Sequence, residues 1–389
     1  MQKLIERNID PKLFTKSCFL LGPRKVGKST FLKTSFPGSI YIDLLDSSIY
    51  SDYTRQPSRA YEFIKYQIAK NPRLRDEPII FDEIQRIPLL LNEVHRLIEA
   101  ERLRFILSGS SARRLVRGGA NMLGGRASRI TMGGLAIDEI EDFDLLRYIN
   151  HGGIPLHYFS DNPSRELKDY IQNYIQEEVK GEALVRNLLA FNRFLDLVGI
   201  MNGEEVNYTS ISRDVGVDAK TVKEYFQILI DTLLGSYLEM FFDRQKRTNI
   251  LQSPKFYLFD TGVANHLKGV VITKEQGIEF GRSFEHMILT EITSYKNFRN
   301  RDFDLAFWRT YERDEVDFVL AGGEVAIEVK STAAPRGRDL RSLLKFKEIY
   351  RPKKAIVITN GPQPRRLDDG IDLLPYRTFV QLLWAGEVV

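Results

Sequence analysis

One short stretch does most to limit what this chain can fold into. Gly22-Pro23-Arg24-Lys25-Val26-Gly27-Lys28-Ser29 satisfies G-x-x-x-x-G-K-[ST], directly after the apolar run Cys18-Phe19-Leu20-Leu21 and before a helical stretch. That strand-to-helix context is what gives the spacing a mechanism. Gly22 and Gly27 let the backbone curl so that successive N–H groups point at phosphate oxygens, and the positive end of the following helix reinforces the attraction. Pro23, Arg24, Lys25 and Val26 complete the cradle. Lys28 is placed to reach the β- and γ-phosphates, Ser29 to offer its hydroxyl to Mg2+, and Thr30 to lie beside the α-phosphate. The expected cofactors are therefore ATP and Mg2+.

The first third of the chain alternates short apolar runs with amphipathic stretches, the pattern of β-α repeats around a parallel sheet. Strands are expected over residues 17–21, 39–44, 78–82, 104–107 and 127–132. Helices are expected over 61–69 and over 89–100, where Leu90, Val94, Leu97 and Ile98 fall on one side. The third strand ends in Asp82-Glu83. Taken alone, such a pair fits an ordinary solvated edge. Behind a P-loop it reads as the second half of a nucleotide site, with Asp82 in the magnesium shell and Glu83 activating the attacking water. The fourth strand runs into Ser108-Gly109-Ser110-Ser111, where Ser108 would contact the γ-phosphate or the lytic water, or serve only the turn. Arg126 is a candidate to stabilise transition-state charge from a neighbouring subunit, in competition with Arg113, Arg114 and Arg117.

Residues 137–194 turn helical, as a lid or linker would, and residues 205–259 change character again. Segments 209–215 and 219–234 read as two helices joined by a turn, with Asp218 as N-cap and Val222, Phe226 and Leu229 on the buried side, a helix-turn-helix. Lys220 and Lys223 lie on the helix that would enter a major groove, and strands at 237–242 and 255–259 enclose Arg244, Lys246 and Arg247 as a basic wing. Winged helices also contact proteins, so both kinds of partner stay open. The aromatics Tyr225, Phe226, Tyr237, Phe241 and Phe242 are expected in the core.

The last segment has the order α-β-β-β-α-β, over 283–295, 305–309, 315–320, 324–329, 338–349 and 355–359. A hairpin at Ala321-Gly322-Gly323 brings Asp317 opposite Glu328, and the side-chain period of two puts Glu328 and Lys330 on one face. With Glu285 on the preceding helix this looks like the catalytic pattern of PD-(D/E)xK nucleases. Asp317, Glu328 and Glu285 would then hold Mg2+, while Lys330 stabilises the phosphorane or orients water. The same alternation also fits a half-exposed strand with solvated charges, and such folds also serve as binding platforms.

The combined motifs resemble prokaryotic AAA-type ATPases fused to a C-terminal domain of unknown function. The likeness rests on GPRKVGKST, IIFDEIQ and LSGSS...GGR, and continues through SFEHMILTEI, DEVDFVL and AIEVKS. It implies an α/β fold with a P-loop AAA+ core of the ASCE type, a helical lid, a winged helix-turn-helix and a restriction-endonuclease-like tail. The expected divisions are 1–136, 137–204, 205–260 and 261–389. A length of 389 residues fits several cores better than one. No apolar run approaches the ~18 residues of a membrane span. Lys3, Glu6, Arg7, Asp10 and Lys12 stand where a secretory signal is apolar, so a cytoplasmic, non-membrane protein is expected. Cys18 is the sole cysteine, which excludes an intramolecular disulfide framework, and the histidines lack zinc spacing. A net charge of +4 permits nucleic-acid binding without arguing for it. The resulting expectation is a homo-oligomeric ATPase whose nucleotide state is coupled to a tail that binds DNA, more readily than RNA, with or without cutting it. The alternatives are a nucleotide-gated regulatory switch and a DNA-binding transcription regulator with a non-cleaving recognition domain.

Overall fold

The computed structural model describes residues 4–111, 123–175, 187–242 and 253–389. Strands β1 (Cys18–Leu21), β2 (Tyr41–Asp43), β3 (Ile79–Asp82), β4 (Phe105–Gly109) and β5 (Ser128–Thr131) form a parallel sheet in the order β2-β3-β4-β1-β5. Strand β4 thus separates the P-loop strand from the acidic strand. Helices α1 (Lys28–Ser35), α2 (Ser47–Arg55), α3 (Ser58–Lys70) and α4 (Leu90–Glu101) complete this unit. Helix α2 was not foreseen; the Asp46 carboxylate caps it by accepting from Ser48 N and Ile49 N. Alternation sends Phe19, Leu21, Ile79, Phe81, Phe105 and Leu107 to one face, against α3 and α4, and Cys18, Leu20, Ile80, Ile106 and Ile130 to the other.

That second face is not closed by the first third of the chain. Its cluster continues into Phe191, Phe194 and Phe226, which belong to the helices that follow: α5 (Leu145–His151), α6 (Pro155–Tyr158), α7 (Pro163–Asp169), α8 (Leu188–Ile200), α9 (Tyr208–Val215) and α10 (Ala219–Asp231). Gly216, at φ 77°, makes the turn between α9 and α10, and the Asp218 carboxylate accepts from Thr221 N at 2.8 Å to start α10. Val222, Phe226 and Leu229 are fully buried on its inner side. Truncating a ring such as Phe226 costs about 3–5 kcal/mol in a core of this kind.

The remaining elements are β6 (Gly235–Met240), β7 (Lys255–Leu258), α11 (Thr261–Lys268), α12 (Ile278–Phe298), β8 (Leu305–Arg309), β9 (Glu315–Leu320), β10 (Val325–Lys330), α13 (Arg341–Tyr350), β11 (Lys354–Thr359), β12 (Arg365–Arg366), β13 (Asp372–Pro375) and α14 (Tyr376–Trp384). The strands form one sheet in the order β12-β13-β11-β10-β9-β8-β6-β7. The hairpin read as a wing therefore joins the C-terminal sheet, through the parallel pairs Glu239↔Ala306 and Met240↔Phe307, and the sheet runs across position 260. Helix α12 covers one face with Phe284, Ile288 and Ile292; α13 covers the other with Leu343 and Phe346. Among the expected core aromatics, Phe242 is a correction: it is exposed. Among the described residues no helix is long and apolar enough to cross a membrane.

One side chain ties these units together. Arg7 is nine-tenths buried and donates to Val26 O at 2.9 Å, Gly134 O at 2.7 Å and the Glu139 carboxylate at 2.9 Å. Its guanidinium also lies 5.3 Å from the centre of the Phe298 ring on α12. The P-loop backbone is thereby fastened to the C-terminal unit by a residue outside every motif.

Candidate nucleotide site and C-terminal carboxylate centre

The P-loop folds as its glycines dictate. A Cβ on Gly22 would stand 2.1 Å from Met132 O, and Gly27 has φ 97°, so neither position accommodates a side chain without strain. Lys28 opens α1, is buried, and donates to Gly22 O at 2.8 Å and Pro23 O at 2.9 Å. Pro23 and Val26 are also buried, Arg24, Lys25 and Ser29 half-buried, and Thr30 exposed. Tyr170 OH donates to Arg24 O at 3.3 Å, which brings the middle helices to the rim of the loop.

Asp82 is buried at the end of β3, and Tyr41 OH donates to its Oδ2. The Ser29 hydroxyl lies near the same phenol. Burial, and next the Asp82 carboxylate, push the Tyr41 hydroxyl well above its usual range. Ser29 and Asp82 are thus both near the Tyr41 hydroxyl, and both offer the hard oxygen donors that a magnesium ion takes. The pair fits the expected metal.

Glu83 follows with φ 60°, a left-handed conformation that a non-glycine residue adopts at a cost. Its carboxylate accepts from Gln85 Nε2, which also donates to Ser110 Oγ at 3.0 Å. Burial raises the Glu83 carboxyl above the ordinary glutamate range against the pull of Lys28, and neighbouring Asp82 raises it further. Ser108 is fully buried on β4, and its hydroxyl has no hydrogen-bond partner among the described residues. Gln85 and Tyr41 were not picked out from sequence. The only signal for Gln85 was its place in IIFDEIQ.

The second centre lies in the C-terminal sheet. The antiparallel register Ile327↔Phe318 brings Glu328 beside Asp317, and both are buried. Asp317 Oδ2 accepts from Val329 N at 2.7 Å; Glu328 Oε1 accepts from Lys330 Nζ at 2.5 Å; Glu328 Oε2 has no partner among the described residues. Burial pushes the Glu328 carboxyl up to about 7, and burial together with the Glu328 charge pushes Asp317 up as well. Glu285 adds its charge to the pair, and its Oε1 accepts from Tyr257 OH at 2.5 Å and from Lys255 Nζ at 3.3 Å. Lys255, a buried lysine on β7, also donates to Glu315 Oε1 at 2.5 Å. Burial works against its charge, but Glu285, Glu315 and Asp317 outweigh that and hold the ammonium above its usual range. Lys255, Tyr257, Glu285, Glu315, Arg282 and Arg309 line a cavity of about 450 Å³.

Of the three carboxylates expected to hold magnesium, Asp317 and Glu328 lie side by side on neighbouring strands, and Glu285 is engaged by Lys255 and Tyr257. Among the described residues no three acidic, histidine or cysteine side chains are grouped so as to hold a metal ion. Lys255 and Tyr257 are brought to Glu285 by the hairpin of β6 and β7, from the middle of the chain.

With both centres described, the comparisons with known proteins can be placed on them. Residues 15–141 match the AAA domain. Residues 142–273 match a domain of unknown function (DUF8612), and residues 280–379 match another (DUF4143). No curated protein matches the chain. The AAA domain carries the P-loop, Asp82, Glu83 and Ser108. The carboxylate centre is shared between the other two, since Lys255 and Tyr257 fall in the second matched segment and Glu285, Asp317, Glu328 and Lys330 in the third.

Arg126 precedes β5, and the register Cys18↔Ser128 puts it at the end of the AAA sheet where β1 begins, opposite the P-loop. Its Nε pairs with Glu99 Oε1 at 2.5 Å. Lys220 and Lys223 are exposed on α10, with Lys223 Nζ 5.1 Å from the centre of the Tyr208 ring. Arg244, Lys246 and Arg247 lie outside the described residues, as do Arg113, Arg114 and Arg117.

Proposed function

We propose that the chain is an ATP hydrolase in which nucleotide state is passed from the AAA domain to the two C-terminal units. The observation that carries this reading is the placing of Ser29 close to Asp82, which accepts from the Tyr41 hydroxyl, with Glu83 in the field of Lys28. Gly22 to Thr30 would wrap the phosphates, and Lys28 would exchange its bonds to Gly22 O and Pro23 O for phosphate oxygens. Ser29 and Asp82 would hold Mg2+, which when bound neutralises charge on the transferring phosphoryl group. Glu83, oriented by Gln85, would take the proton of the attacking water, and Ser108 would supply a buried hydroxyl near the γ-phosphate. Arg126, placed away from its own P-loop, would act on a neighbouring subunit, which makes the working form a homo-oligomer. Release of inorganic phosphate from ATP and Mg2+ by the intact chain, lost on Lys28→Ala, tests the proposal. An intact chain that neither binds nor hydrolyses ATP would remove it.

The C-terminal units are proposed as a DNA-binding tail, supported by the exposed lysines of α10. The reading in which the tail recognises without cutting is favoured by one observation, the engagement of Glu285 by Lys255 and Tyr257.

A further inference from the structure

Four carboxylates crowd the C-terminal centre: Asp317 and Glu328 on neighbouring strands, Glu285 on α12 and Glu315 at the start of β9. Carboxylates withdrawn from water need a cation or hydrogen-bond donors close by. Lys330 serves Glu328, at 2.5 Å, from the same strand. Arg309 approaches the outer oxygen of Glu315 at 3.8 Å, and the buried cation of the group is supplied from a distance. Lys255 comes from β7, which is anchored by pairing with β6, by Leu258 N donating to Asn202 Oδ1 at 2.8 Å, and by an isolated bridge between Lys255 and Glu205. Its ammonium is buried between Glu315 and Glu285.

We infer that Lys255 is the resident cation of this centre: it neutralises Glu285 and Glu315 in place of a divalent metal, and it excludes such a metal for as long as β7 is seated. Two features support this. An ammonium and a divalent cation repel each other when both are held by the same carboxylates in a poorly solvated site. Moreover, one of the two Glu285 oxygens already accepts from both Lys255 and Tyr257, while Glu328 retains a buried, unpartnered Oε2 that a metal would use once Lys255 was gone. Because Lys255 arrives on a strand shared with the middle unit, metal competence would be set by the position of β7. The inference does not depend on ATP hydrolysis.

The test is a manganese titration of the full-length chain followed by electron paramagnetic resonance. The AAA site is silenced in every sample by Lys28→Ala and Asp82→Asn. The chain with Lys255 intact should bind no manganese at the C-terminal centre. Lys255→Met should gain one ion per chain, lost again on adding Asp317→Asn. Binding of one ion to the Lys255 chain, abolished by Asp317→Asn, would overturn the inference. So would a Lys255→Met chain that melts cooperatively but gains no ion. If Lys255→Met fails to fold, Lys255→Gln takes its place, and the titration of the Lys255 chain can overturn the inference without either variant.

Discussion

Tyr41 donates its phenolic hydrogen to Asp82 across two adjacent parallel strands, with the Ser29 hydroxyl close by. One of the two residues that would share a magnesium shell is thus already engaged by a side chain of the protein. A hydrogen bond to a charged acceptor is worth about 1.5–3 kcal/mol net, so the phenol competes measurably for Asp82. Tyr41→Phe should lower the Mg2+ concentration needed for tight binding of a fluorescent ATP analogue by roughly tenfold. Binding without Mg2+ should be unchanged. An unaltered or raised magnesium requirement would show that the phenol assists the metal instead.

Glu291 gives the chain an unusual pH dependence of stability. It is fully buried on α12, and burial pushes its carboxyl up to about 7 even though Trp384 Nε1 and Ile137 N both donate to it, at 2.6 Å and 3.0 Å. A carboxyl whose folded-state pKa lies above its unfolded value binds its proton more tightly in the folded chain. Its ionisation therefore costs nothing below the unfolded value, costs progressively more as pH rises, and reaches its full cost above about 7. The full cost is on the order of 3 kcal/mol. Asp260 and Glu328, raised chiefly by burial to about 6 and about 7, act in the same direction. His157 and His286, held down to about 4 chiefly by burial, act in the opposite direction below about pH 6.5. The clean readout is therefore the difference between the parent and Glu291→Gln in urea unfolding, with the parent losing more stability than the variant from about pH 5.5 to about pH 8.

Arg126 makes an assembly prediction. Because it sits at the end of the sheet opposite the P-loop, Arg126→Ala should impair hydrolysis only through a neighbour, by about 10³-fold or more for a true arginine finger. Mixing Arg126→Ala with Glu83→Gln should restore part of the turnover, since some interfaces then combine an intact Glu83 with an intact Arg126. No recovery on mixing, with the chains shown to exchange, would assign the finger to another residue.

Lys220 and Lys223 predict a salt effect. If they contact phosphates, Lys220→Glu with Lys223→Glu should weaken duplex DNA binding without regard to sequence. The slope of log K against log salt should become shallower by roughly 2. An unchanged slope would point α10 towards a protein partner.

How much of this could be read from sequence depends on how local each signal is. The P-loop was legible because its glycines answer a backbone requirement within eight residues, and Asp82-Glu83 because it ends an apolar strand. The α9-turn-α10 unit was legible for the same reason, with Asp218 as cap and Gly216 in the turn. Tyr41 was not, since its role arises only from the alignment of β2 with β3. Lys255 was still less visible: its partners Glu285 and Glu315 lie 30 and 60 residues further on, and its strand read equally well as part of a wing. Strand β12 was passed over because a two-residue edge strand leaves no periodicity, and β13 and α14, which follow it, were passed over as well.

The most direct test of the nucleotide-site assignment separates binding from turnover in Glu83→Gln. Nucleotide affinity should stay within a fewfold of the parent, because the amide keeps the shape of the side chain beside Gln85. Phosphate release should fall by about 10²- to 10⁴-fold, the usual contribution of a general base. In the parent, activity should fall on the acid side at a pH above the ordinary glutamate range, as the buried Glu83 carboxyl takes up its proton. Tight ATP binding with turnover lost is the expected result. Turnover at the parent rate with Glu83 replaced would contradict the assignment.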